Sequence, residues 1–162
     1  MSRRPFTVLD GGLSTVLEEL GESPIGPLWA AAPMVDRPEL ITAAHRRFVD
    51  AGADVIITAS YQASEAGLVA AGLEPAAARR VLGSTTAVAR ASGAGIVACS
   101  IGPFGAFLAD GSEYHGRYSA SWSHVRDFHL ARLEVLVDTG PDLGLDTRRN
   151  GFNREEIGAG VD

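Results

Sequence analysis

The sequence predicts an α/β fold on two observations. Short apolar runs alternate with longer segments of helical periodicity, which is the βαβα rhythm. The clearest run, Gly95-Ile96-Val97-Ala98-Cys99, is continuous, apolar and glycine-bounded, as expected of a strand covered on both faces. A third observation indicates where function sits. Ser100 to Tyr118, SIGPFGAFLADGSEYHGRY, leaves that strand as a connection of roughly 20 residues, and compact domains seldom keep so long a loop without a use for it.

The elements follow in order. Phe6-Thr7-Val8-Leu9 is the first expected strand, and Ser14 to Leu20 a short helix with Ser14 as N-cap and Gly21 as its stop. After a proline-broken link, Leu40, Ile41, Ala44, Phe48 and Val49 mark a helix from Pro38 to Ala51, with Pro38 in its first turn and Gly52 at its end. Val55-Ile56-Ile57-Thr58 is the second strand. Two helical pieces, Ser64 to Ala71 and Pro75 to Ala91, are separated by Gly72, and Ile96 to Ser100 is the third strand. Beyond the long loop, Val125, Phe128, Leu133, Leu136 and Val137 recur near helical spacing over Ser123 to Asp138, with Ser123 as the cap candidate. Asp142-Leu143-Gly144-Leu145 starts a fourth strand that its glycine weakens. From Arg148 to Asp162 no pattern extends, and a disordered tail is expected; a short helical turn capped by Asn153 is the alternative. The division is one domain over 1–147 and a divergent tail over 148–162.

Composition narrows the function classes. The 162 residues are 46% hydrophobic and 21% charged, with a net charge of −6, and fit one ordinary domain. Mild acidity with dispersed arginines argues against a nucleic-acid partner, which needs clustered cations. No apolar run approaches the roughly 20 residues of a membrane span, and the start lacks an apolar signal core, so no membrane partner and a cytoplasmic location are expected. The single cysteine, Cys99, lies in an apolar strand, where a buried small hydrophobe is the commoner role and a reactive thiol the rarer one. His45, His124 and His129 do not converge at a spacing that proposes a metal site.

In parallel α/β folds, side chains converge at the carboxyl ends of strands. Asp10 follows the first strand ahead of Gly11-Gly12; its carboxylate suits a substrate ammonium group, although a turn or capping role is commoner. Tyr61 and Gln62 follow the second strand, with a phenol and an amide suited to a polar substrate, or to rim packing. Asp110 and Glu113 in the long loop have the chemistry of an acid and a base, but carboxylates three apart beside glycine more often satisfy backbone amides. Trp29, between Pro27 and Pro33, is either an aromatic lid or an anchor for its loop. The Gly102-Pro103 and Gly105 turn lacks the Lys-Ser/Thr ending of a phosphate-binding loop.

Taken together, these residues resemble the homocysteine S-methyltransferase family. Leu9-Asp10-Gly11-Gly12, Leu28-Trp29-Ala30, Arg37-Pro38-Glu39-Leu40-Ile41 and His45 are similar to its opening βα unit. Ala51-Gly52-Ala53-Asp54 leading to Thr58-Ala59-Ser60-Tyr61-Gln62-Ala63 resembles the second unit. Ser100-Ile101-Gly102-Pro103-Phe104-Gly105-Ala106 with Leu108-Ala109-Asp110-Gly111-Ser112-Glu113-Tyr114 resembles the third. The likeness runs from Thr7 to Leu145, and within the family the members that take a methyl group from S-methylmethionine resemble the chain most.

The resemblance implies a TIM (β/α)8 barrel, of which this chain would hold the N-terminal portion, about four βα units. It implies homocysteine and a sulfonium methyl donor, S-methylmethionine or S-adenosylmethionine, as partners, methionine as product, and zinc held by three cysteines as the cofactor of the complete family. By correspondence, Asp10 would hold the homocysteine amino group, Trp29 and Tyr61 would line the pocket, and Asp146 would stand for the glutamate of a Glu-Thr motif after the fourth strand. The family's zinc cysteines follow its sixth and eighth strands, and Cys99 matches none of them, so the chain is expected to be a truncated family member, inactive alone and without its own metal ligands. Alternatives are a noncatalytic half-barrel that binds a small amino acid or joins another chain, and a metal-free barrel enzyme using Asp110 and Glu113. Four strands do not close a barrel of about eight, so Val8, Ile56 and Val97 are expected to be left open and to favour self-association.

Overall fold

A computed structural model describes residues 5–23, 26, 28, 31–146 and 152–153. The sheet runs in the order β1 (Val55–Ile57), β2 (Ile96–Ile101), β3 (Leu143–Asp146) and β4 (Phe152–Asn153). The first three strands are parallel, with Ile56 opposite Val97 and Ser100 opposite Leu145; β4 returns antiparallel, with Phe152 opposite Gly144. The helices are α1 (Leu13–Glu19), α2 (Pro33–Asp36), α3 (Pro38–Asp50), α4 (Glu65–Ala70), α5 (Pro75–Arg90), α6 (Phe104–Leu108) and α7 (Trp122–Asp138). The chain is therefore α/β with a three-stranded parallel sheet, and among the described residues no helix is long and apolar enough to cross a membrane.

The strand expected at Phe6–Leu9 is not a ladder strand. It makes one parallel bridge, Leu9 with Val55. The reason is that carboxylates take the places of ladder partners: Val8 N–H donates to Asp54 Oδ2 at 2.8 Å, and Ile57 N–H donates to Asp10 Oδ2 at 3.0 Å. Backbone bonds remain between them, from Asp54 N to Val8 O at 2.8 Å and from Asp10 N to Val55 O at 3.0 Å. The same device recurs at the entry to β3, where Asp142 Oδ2 accepts from Val97 N at 2.8 Å. About four βα units were expected; among the described residues three parallel strands and this bridge form.

Helix boundaries shift for identifiable reasons. α1 starts at Leu13 with Gly12 as its N-cap and no side-chain cap bond, so Ser14 lies inside the helix. α7 is capped by Ser121, whose hydroxyl accepts from His124 N at 3.3 Å, two residues before the expected Ser123. Ser64 caps α4 by accepting from Gly67 N at 3.0 Å. α3 stops at Asp50, and Gly52 follows with φ of 97°, a left-handed conformation that favours glycine.

Ile56 and Val97 are not left open. Both are buried and pack with Ala89 of α5 against Phe48 and Val49 of α3, because they point to the helix side of the sheet; Val8 is half-buried. Cys99, on the same face of β2 as Val97, packs with Leu82 of α5 and with Val135 and Leu136 of α7. Of the tail expected from residue 148, only Phe152–Asn153 are described, in β4; the remainder lies outside the described residues.

The long connection after β2 is structured. It holds α6 and a 3-10 turn at Ser112–Tyr114. Phe104 anchors it, 2% exposed, with ring contacts to Phe107, Tyr118, His124 and Phe128 at centroid distances of 5.1–5.7 Å. A Cβ at Gly105 would stand 2.7 Å from Glu113 Cα, so glycine is what lets the turn lie against α6.

Candidate ligand site at the strand ends

The strand ends carry two buried polar groups of opposite character. In the first, Thr58 Oγ1 and Ser60 Oγ are 2.6 Å apart, Ser60 Oγ donates to Ser100 O at 2.8 Å, and Ser100 N donates to Thr58 Oγ1 at 3.0 Å. Arg132 reaches in from α7, with Nη1 donating to Gly102 O at 2.8 Å and Nη2 to Tyr61 O at 2.8 Å and to Ser60 O. Arg132 is 3% exposed. Burial lowers its pKa to about 10, so it remains charged at neutral pH while it ties the exits of β1 and β2 together. The exits lie close: a Cβ at Gly102 would overlap the Tyr61 carbonyl and stand 2.9 Å from Tyr61 Cδ2.

The second group is Asp10 with His45. The Asp10 side chain is 2% exposed and His45 is fully buried, with His45 Nδ1 3.7 Å from Asp10 Oδ2. Asp10 Oδ1 and both ring nitrogens of His45 have no hydrogen-bond partner. Buried polar atoms are nearly always paired, so three orphans side by side call for an explanation. Asp10 lines a cavity of about 160 Å³ together with Leu28, Thr58, Tyr61, Gln62 and Ser100. Tyr61 and Gln62 also border a wider recess of about 770 Å³ that extends to Glu113 and Tyr114.

The structure thus brings Asp10 and Tyr61 to one cavity. Asp146 ends β3 opposite Ile101, at the same edge of the sheet, and its side chain lies outside the described set. Trp29 also lies outside the described residues, while its neighbour Leu28 lines the cavity. Asp110 serves a turn: its Oδ1 accepts from Ser112 N at 2.9 Å, and hydrogen bonds from Ser112 lower its pKa. Glu113 Oε2 is buried without a partner. The sequence reading passed over Arg132 and assigned His45 no part in a site. Both sit on the apolar stripes of their helices, Arg132 seven residues after Val125 and His45 four after Ile41, and that position was the available signal.

The residues present do not fit a three-cysteine zinc site. Cys99 is the sole cysteine of the sequence, and it is 1% exposed, with Sγ 3.9 Å from Ser60 Oγ. Burial raises its pKa, which opposes the thiolate that a metal would need. Among the described residues no group of three His, Cys, Asp or Glu side chains could hold a metal ion.

A parallel sheet with a cavity at its strand ends, lined by a buried, half-satisfied carboxylate and an aromatic ring, has the usual form of a ligand site in an α/β domain. Comparison with known proteins makes the class specific. The homocysteine S-methyltransferase family model matches residues 7–146, and the chain belongs to that family. It is 42% identical to homocysteine S-methyltransferase 1 of Zea mays over 84% of this chain and 48% of that one. It is 40% identical to the homocysteine S-methyltransferase of Escherichia coli K12, over 88% of this chain and 50% of that one. The crystal structure of the metallated form of the homocysteine methyltransferase MmuM from Escherichia coli superposes with a TM-score of 0.82 at 40% identity, covering 98% of this chain and 59% of that one. The chain spans about half the length of the relatives it matches.

Proposed function

We propose that this chain carries the amino-acid-binding part of a homocysteine S-methyltransferase site, built on the N-terminal strands of a (β/α)8 barrel. Asp10 takes the ammonium group of homocysteine, and Tyr61 forms a wall of the pocket. The observation that carries this reading is the Asp10 carboxylate itself, buried, lining the cavity, and with Oδ1 unpartnered. An unpaired buried carboxylate is costly unless a cation completes it, and a ligand ammonium is such a cation.

In the family reaction, the methyl–sulfur bond of S-methylmethionine or S-adenosylmethionine breaks with its electron pair going to the donor sulfur. The methyl group forms a new bond to the homocysteine sulfur, whose proton is released. The described residues support the binding half of this chemistry. Neither Cys99, which faces the core, nor Asp110, which is engaged in its turn, is assigned a part in activating the thiol. The 162-residue chain alone is therefore expected to bind homocysteine weakly and to form no methionine from homocysteine and S-methylmethionine.

Calorimetric titration with L-homocysteine and with 4-mercaptobutanoate, which lacks the amino group, tests the assignment. A charged hydrogen bond contributes about 1.5–3 kcal/mol, so the amino compound should bind at least about tenfold more tightly, and Asp10→Asn should abolish the preference. Equal affinity for the two compounds in the unaltered protein would remove Asp10 from the ligand site.

A further inference from the structure

The His45–Asp10 contact carries an inference that rests on the reading of Asp10 as the ammonium-binding group and goes beyond it. α3 turns Ile41, Ala44 and His45 inward. Two of these three are apolar, as a packing face requires. The third brings two polar nitrogens into a place where neither finds a hydrogen bond. An apolar side chain would pack there without that penalty, so the imidazole needs another use.

Its neighbour supplies one. Nδ1 lies 3.7 Å from Asp10 Oδ2, the oxygen that also accepts Ile57 N–H at 3.0 Å. That separation exceeds a hydrogen bond, and such contacts commonly tighten when a ligand completes the site. His45 does not line the cavity; it stands behind Asp10. We propose that His45 is a positioning residue: with a proton on Nδ1 directed at Oδ2, it joins the Ile57 amide in fixing the rotation of the Asp10 carboxylate, and Oδ1 is left for the ammonium group of the ligand. A carboxylate held through one oxygen by two donors presents the other in a fixed place, and binding then costs less reorganisation.

The test is a set of L-homocysteine titrations of the 162-residue chain and its variants, followed by calorimetry, with thermal unfolding to confirm that each variant folds. His45→Leu should weaken binding about tenfold, and His45→Asn, whose amide can place an N–H near the Nδ1 position, should recover most of the loss. In an Asp10→Asn background, His45→Leu should have no further effect, because His45 acts only through that carboxylate. Unaltered affinity in His45→Leu, or an equal loss in both backgrounds, would overturn the inference. If Asp10→Asn binds homocysteine as well as the unaltered protein, the Asp10 reading fails and this one with it. An Asp10 effect without a His45 effect sinks only the positioning role. Should His45→Leu not fold, the ring ¹⁵N shifts of His45 in the unaltered protein decide: a protonated Nδ1 is expected, and a bare Nδ1 contradicts the proposal.

Discussion

Two buried polar groups at the same end of the sheet differ in how far they are satisfied. Thr58, Ser60 and Ser100 satisfy one another, and Arg132 satisfies the strand-exit carbonyls through both Nη atoms, with its Nε left without a partner. Asp10 and His45 keep three atoms without partners. A network in which nearly every atom is paired rigidifies, whereas one left largely unpaired costs stability unless something else completes it. The contrast separates scaffold from proposed site: Arg132 ties the two strand exits together, and Asp10 carries the unpartnered oxygen to which the proposed ammonium binding is assigned.

The largest way to break this contrast is Arg132→Met. It keeps an apolar stem on α7 but leaves the carbonyls of Ser60, Tyr61 and Gly102 without their buried donor. The expected loss is about 3 kcal/mol of unfolding free energy, read as a lower urea midpoint. Gly102→Ala should come next, at about 2 kcal/mol, because its Cβ has to displace the Tyr61 backbone. A midpoint unchanged in Gly102→Ala would show that the two strand exits do not need their close approach.

Asp110 sharpens the comparison from the exposed side. Its pKa is lowered by hydrogen bonds from Ser112, so it favours the folded turn when ionised. That contribution is complete above the ordinary aspartate range near 3.8 and is lost as pH falls through the depressed folded value. Asp110→Asn should therefore change stability only slightly at neutral pH and flatten part of the acid limb of a stability–pH curve. A change at neutral pH as large as that of Arg132→Met would give this turn a structural weight that its exposure does not suggest.

The alternation of apolar runs with helical periodicity was enough to place β1, β2, β3 and the long helices, since their burial depends on local pattern. The first strand was not legible. Its apolar run looks like any other, and only the tertiary structure reveals that Asp54 and Asp10 intercept its ladder bonds. The long connection was read as a loop without elements because Phe104 and Phe107 are not periodic in sequence, yet with Phe128 of α7 they form an aromatic cluster that folds it. That Asp10 and Tyr61 meet at one cavity was legible from their places after strands. Arg132 and His45 were hidden because a polar residue on an apolar helical stripe reads as an interruption until its partner, far off in sequence, is known.

The most direct test of the central claim is the thermal unfolding of Asp10→Asn with and without L-homocysteine. An asparagine keeps an acceptor for Ile57 N–H and removes a buried, half-paired charge, so the ligand-free Tm should equal or exceed that of the unaltered protein. At about ten times its dissociation constant, homocysteine should stabilise the unaltered protein by about 1.4 kcal/mol, a rise of a few degrees, and that rise should vanish in the variant. A ligand-free Tm several degrees lower, with the homocysteine-induced rise intact, would mean that Asp10 belongs to the scaffold and that the ligand is held elsewhere.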